Sequence, residues 1–134
     1  MWTPTARGCE AGPEMLQATL RVIEHNAATP GLVEFYTVLS AEATDTTHPA
    51  HEHFAERYRW VPAAFVSTFD RLRAEGRLAT DMSSASLARQ LVALMDGLQV
   101  QWLYDRSFDM AEELARFLDL ILVEGSGTVH AAPR

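Results

Sequence analysis

The stretch that decides the fold is Ser86–Tyr104, SLARQLVALMDGLQVQWLY. Spaced at about 100° per residue, Leu94, Leu87, Leu98, Leu91, Trp102, Met95, Val92 and Leu103 cover about half of a helical circumference. A surface helix needs an apolar stripe of only ~100°. The side beyond this arc, through Ala93, Tyr104, Gly97, Gln90 and Gln101, carries no charge, and Arg89 and Asp96 share what remains. Such a helix has two dry sides, one for its own core and one for a second body. Gly97 and Ala93 let a second helix approach closely. Deep burial in a large monomer is the alternative, but 134 residues surround a helix poorly.

Ser83 is placed to cap this helix, and a shorter one follows it. Asp109 and Glu112 form a capping-box-like start. Met110, Leu114, Phe117, Leu118, Ile121 and Leu122 then give a second half-circumference arc, with Leu120 apart from it, up to about Glu124. The two dry surfaces predict a two-fold dimer through Ser83–Tyr104 and Asp109–Glu124. Its interface is expected to hold Leu94, Gly97, Gln101, Phe117 and Ile121.

Three helices precede this pair. The first is expected over Pro13–Ala28, with Pro13 at the first helical position, where its missing N–H costs nothing. Met15, Leu16, Thr19, Leu20, Val22 and Ile23 form its inner face. Asn26 is polar within that arc, either bonding backbone at the helix end or serving as a ligand handle. Thr29-Pro30 repeats the cap-then-proline start, and the helix it opens buries Leu32, Phe35, Tyr36 and Leu39. The third helix is expected from Pro49 to Glu75, with Gly76 as its stop. Phe54, Tyr58, Val61, Phe65, Phe69 and Leu72 line one side of it, Pro62 interrupts its backbone bonding, and Trp60 points nearly opposite, suggesting a second contact surface. No strand-like alternation or repeat occurs, so the fold class is all-α with five helices. The segments 1–12 and 125–134 read as a tail or linker and a frayed tail. Trp2 has no assignable docking place.

Composition narrows the function. Eleven basic against eighteen acidic residues leave a net charge of −7, which disfavours a nucleic-acid or anionic-membrane surface. Charges interrupt every apolar run well before the ~18 residues of a spanning helix, and no signal-peptide layout is present. The single cysteine, Cys9, cannot form an internal disulfide, which fits a cytoplasmic protein. No phosphate loop, nucleophile elbow or H-E-x-x-H motif is present, so neither an enzyme nor a bound cofactor is expected. The run HPAHEHF offers only the pairs His48/Glu52 and His53/Glu56, each too few for a metal site. Gln99 lies inside the dry arc and needs hydrogen-bond partners, supplied by a neighbouring helix or by a small molecule. With Tyr36, Phe65, Phe69, Met95 and Trp102 as apolar wall, and Gln99 and Asn26 as polar handles, a ligand pocket between the first four helices is predicted. The alternative is that these aromatics simply fill the core.

PGLVEFYTVLSAEATDTTHPAHEHFAERY, EGRLATDMSSASLARQLVALMDGLQVQWLYD and DMAEELARFLDLIL closely resemble the C-terminal effector-binding and dimerisation domain of TetR-family transcriptional regulators. The resemblance covers roughly Pro13–Val123, and ALMDGLQVQWL is its most specific part. It implies that the last two helices pair with those of a second subunit in an intersubunit four-helix bundle. The preceding helices would enclose a small, apolar or aromatic effector. The family reads DNA through an N-terminal helix-turn-helix, which should lie before Pro13, where only twelve residues stand. The chain is therefore expected to be a fragment, a domain expressed alone, or the product of a gene without its reading head. DNA contact would belong to that N-terminal portion. The competing function is a stand-alone helical interaction protein that pairs with a partner through its last two helices.

Overall fold

The computed structural model describes residues 12–125. The tails at 1–11 and 126–134, with Trp2 and Cys9, lie outside the described residues. Five helices follow in order: α1 Pro13–Ala27, α2 Pro30–Glu42, α3 His51–Ala74, α4 Ser84–Tyr104 and α5 Met110–Ile121. α4 packs along α3 and also meets α2 and α5, while α1 bridges α2, α3 and α5.

Local chemistry explains most helix ends. Ser83 Oγ accepts from Ser86 N at 3.2 Å, and Asp109 Oδ1 accepts from Ala111 N at 2.9 Å and Glu112 N at 3.1 Å. Both side chains meet amides that the first turn leaves without intrahelical partners. Asp109→Ala is expected to cost about 1 kcal/mol, read as a lower urea midpoint with an unchanged slope; an unchanged midpoint would show that the cap contributes nothing. Thr29 holds the N-cap position of α2, but its side chain makes no cap bond; there the proline carries the start. Gly76 ends α3 with φ 69°, in the left-handed region that favours glycine.

Two boundaries differ from the sequence-based expectation. α3 begins at His51 rather than Pro49, because 43–50 is occupied by turns held by side chains. His51 Nδ1 lies 2.8 Å from Ala43 O, Ala50 N donates to His48 Nδ1 at 3.1 Å, and Asp45 Oδ1 accepts from Thr47 N at 2.8 Å. Two of the clustered histidines thus pin a turn. α5 stops at Ile121 rather than near Glu124. Leu122 turns extended and forms an isolated antiparallel bridge with Leu78, as Ala79 N donates to Ile121 O and Val123 N to Arg77 O. This bridge ties the chain after α5 to the connector between α3 and α4.

One continuous core joins Met15, Leu16, Phe65, Phe69, Leu72, Leu87, Leu91, Leu114 and Leu118, among others. A smaller cluster of Tyr36, Ala43 and Phe54 closes the α2–α3 end. Two aromatics expected inside are not. Phe35 is 60% exposed and Tyr58 of α3 42% exposed; α2 buries only Val33 and Tyr36, and none of the described helices covers the outer side that carries Phe35. Trp60 is corrected in the other direction: it packs half-buried against the edge of the main core.

Candidate functional site

α1, α2, α3 and α4 meet around a small cavity. Val22, Ile23 and Asn26 come from α1; Leu32, Val33 and Tyr36 from α2; Arg57 from α3; Met95, Asp96 and Gln99 from α4. Its volume is about 20 Å³, close to the space one water requires. Its wall is mostly apolar on the α1 and α2 sides, with Asn26 and Tyr36 as the polar members there, and mostly polar where α3 faces α4.

The polar side is a connected cluster. The Tyr58 hydroxyl donates to Asp96 Oδ2 at 2.6 Å, and Arg57 Nη2 stands 3.8 Å from Asp96 Oδ1. The Arg57 guanidinium lies 5.2 Å from the Tyr36 ring centroid and 5.0 Å from that of Tyr58, within cation–π range of both. Burial, then hydrogen bonding to Asp96, pushes the Tyr58 hydroxyl up to about 12. Burial raises the Tyr36 hydroxyl still further, against the opposing pull of Arg57. Both stay protonated donors at neutral pH. Each folded-state value lies above the ordinary one near 10, so the unfolded chain loses these protons first as pH rises. Stability is therefore fully present below about pH 10 and declines above it, through the range up to about 12. Urea unfolding at pH 9 and pH 11 is expected to give a lower midpoint at pH 11; equal midpoints would contradict these environments.

Of the residues expected to bind a ligand, Asn26, Tyr36, Met95 and Gln99 line the cavity. Phe65 and Phe69 do not: both are fully buried in the main core, one helix face away from it. Trp102 also lies elsewhere, on an open groove lined by Glu24, Ala27, Ser107, Phe108, Asp109, Met110 and Glu112, with Arg106 stacked 4.7 Å from its ring. Arg57 and Asp96 are the charged lining residues that sequence reasoning missed. A signal for Arg57 existed: it sits three residues after Phe54 and four before Val61, a charge at inward spacing.

The model of the BetI-type transcriptional repressor C-terminal domain matches residues 14–123. The chain belongs to this TetR C-terminal family. It is a family of regulatory domains, not of enzymes. No protein of curated function and no solved structure matches the chain.

On the outside of this TetR C-terminal domain, α4 presents an uncharged strip. Ala93, Val100, Gln101 and Tyr104 are exposed, Leu94 and Gly97 half-buried, and Tyr104 is 91% exposed. α5 contributes less than its arc suggests. Ile121 is only 8% exposed and belongs to the subunit's own core, Phe117 is half-buried, and the outward apolar residue is Leu120, 79% exposed. Beside it stand Glu112, Glu113 and Arg116, joined in ion pairs.

The arginine cluster at the end of α3 is engaged within the domain. Arg71 and Arg77 both pair with Glu75, at 3.0 and 3.2 Å, and Arg73 donates to the carbonyls of Thr80 and Met82 in the connector. These contacts act beyond the helix-dipole attraction that their position alone suggests. Among the described residues no group of three or more His, Cys, Asp or Glu side chains could hold a metal ion, and no helix is long and apolar enough to cross a membrane.

Proposed function

We propose that the chain is the intracellular ligand-sensing and dimerisation domain of a TetR-family regulator. The observation that carries this reading is the cavity of the first four helices, where Asn26, Tyr36, Arg57, Asp96 and Gln99 converge on an otherwise apolar wall. Apolar side chains interrupted by convergent polar groups are the kind of lining a small-molecule site uses. The effector is a small, largely apolar or aromatic molecule. The uncharged strip of α4, joined by Leu120 and Phe117 of α5, is the surface for a second copy, and the paired helices form an intersubunit four-helix bundle.

A thermal-shift screen of small apolar and aromatic compounds against the purified chain tests the sensing role. Hits should weaken in Gln99→Leu, a half-exposed position whose replacement leaves the core untouched. Hits indifferent to that change would place the binding site elsewhere. The same α4 strip suits the stand-alone interaction protein, which would show no such hits and would pair with a different chain.

DNA reading is assigned to a helix-turn-helix portion of the regulator and not to these residues. Specific contact needs an element placed in a groove and basic groups on the phosphates. Here the net charge is −7, and the densest basic cluster is paired internally. An anisotropy titration at about physiological salt, with the DNA upstream of its own gene, should give no saturable binding that survives nonspecific competitor. Such binding would overturn the assignment.

A further inference from the structure

Two of the residues that line the cavity, Arg57 and Tyr36, carry buried donors without a partner. Arg57 is 11% exposed, and its Nε and Nη1 are buried with no hydrogen-bond partner. Its nearest carboxylate oxygen, at 3.8 Å, is beyond hydrogen-bonding distance. The Tyr36 hydroxyl, on a side chain 5% exposed, is also buried and unpartnered. Buried donors left without acceptors are costly, and more so on a charged group. A cavity of about 20 Å³ admits about one water, which offers acceptor lone pairs but no charge.

We propose, resting on the effector-binding reading above, that the ligand of this cavity is an apolar carboxylic acid whose carboxylate is received by the Arg57 guanidinium and the Tyr36 hydroxyl. A carboxylate is acceptor-only when ionised and has about four lone-pair sites, so it can take donors from two helices at once. Charge-assisted bonds of this kind are roughly twice as strong as neutral ones. Asp96 limits the charge. It already balances the same guanidinium, so a monoanion leaves the site one negative charge in excess and a phosphate dianion two, which opposes the dianion. A cationic ligand is disfavoured, because the Tyr36 and Tyr58 rings that could cage it already face a guanidinium. Val22, Ile23, Leu32, Val33 and Met95 receive the acid's carbon skeleton. Since the cavity holds only about one water, binding of such an acid requires α2 to shift outward, and α2 is anchored by two buried side chains, Val33 and Tyr36.

The test is calorimetric titration of the full chain at neutral pH with octanoate and phenylacetate, their neutral amides octanamide and phenylacetamide, and phenyltrimethylammonium. The expected result is an acid that binds at least about tenfold tighter than its amide. Arg57→Gln should abolish that preference, and Arg57→Lys should restore part of it. Amides as tight as acids, or preferred binding of the ammonium compound, would overturn the carboxylate assignment and leave the effector site standing. Binding by none of the five compounds would overturn the effector reading and this inference with it. A measurement without ligand adds a second arm. Arg57→Met keeps contact with the two tyrosine rings and removes the unpaired donors, so its melting temperature should equal or exceed that of the parent. A clear drop would mark Arg57 as a structural residue instead.

Discussion

Gly97→Glu is expected to turn the proposed dimer into a monomer while leaving each subunit folded. Gly97 is half-buried on the uncharged strip of α4, and a Cβ built there meets nothing within 4 Å inside the subunit. Within a subunit the change should be mildly favourable, since glycine is ~1 kcal/mol poorer than the best helix formers and glutamate is close to them. Between subunits the effect reverses. Two helices approaching over Gly97 would bury a carboxylate, and the two-fold axis would bring its copy nearby. Burying an unpaired charge costs several kcal/mol, enough to shift the dissociation constant by a hundredfold or more. Light scattering should report the parent as a dimer and the variant as a monomer, with helical circular dichroism unchanged. A monomeric parent, or a variant that stays dimeric, would remove α4 from the interface.

Phe65→Ala is expected to cost about 3–5 kcal/mol of folding stability, a large share of the ~5–15 kcal/mol typical of a domain. Phe65 is fully buried where α3 packs on α4, and close-packed surroundings relax only partly around a lost ring. Phe35→Ala removes the same ring from α2, where it is 60% exposed, and should change stability by no more than about 0.5 kcal/mol. Urea unfolding of both variants at one protein concentration, because dimerisation links stability to concentration, separates the two effects. Equal losses would mean that the outer face of α2 is covered, by a partner or by residues outside 12–125.

The difference between these two phenylalanines shows what the chain alone could decide. Helix periodicity and end signals are local, so five helices, the Pro13 and Pro30 starts, the Ser83 and Asp109 caps and the Gly76 stop were all legible. So was the general place of the cavity, because Asn26, Tyr36 and Gln99 are exceptions within apolar arcs and a polar exception is visible one helix at a time. Periodicity reports an angle around an axis, however, and not what stands opposite it. Phe35 and Phe65 occupy comparable positions in their own helices; only the arrival of α4 on α3, and of none of the described helices on the outer side of α2, separates them. Trp102 points inward as expected but reaches a different opening, because α1 and α5 close around the far end of α4. Leu122 continues the apolar arc of α5, yet leaves the helix because Leu78, distant in sequence, offers an extended partner. Arg57 was hidden for the same reason. A charge at inward spacing ordinarily reaches solvent along its flexible stem, and here Asp96 of α4 and the two tyrosine rings hold it against the cavity, an arrangement that exists only once α2, α3 and α4 have packed.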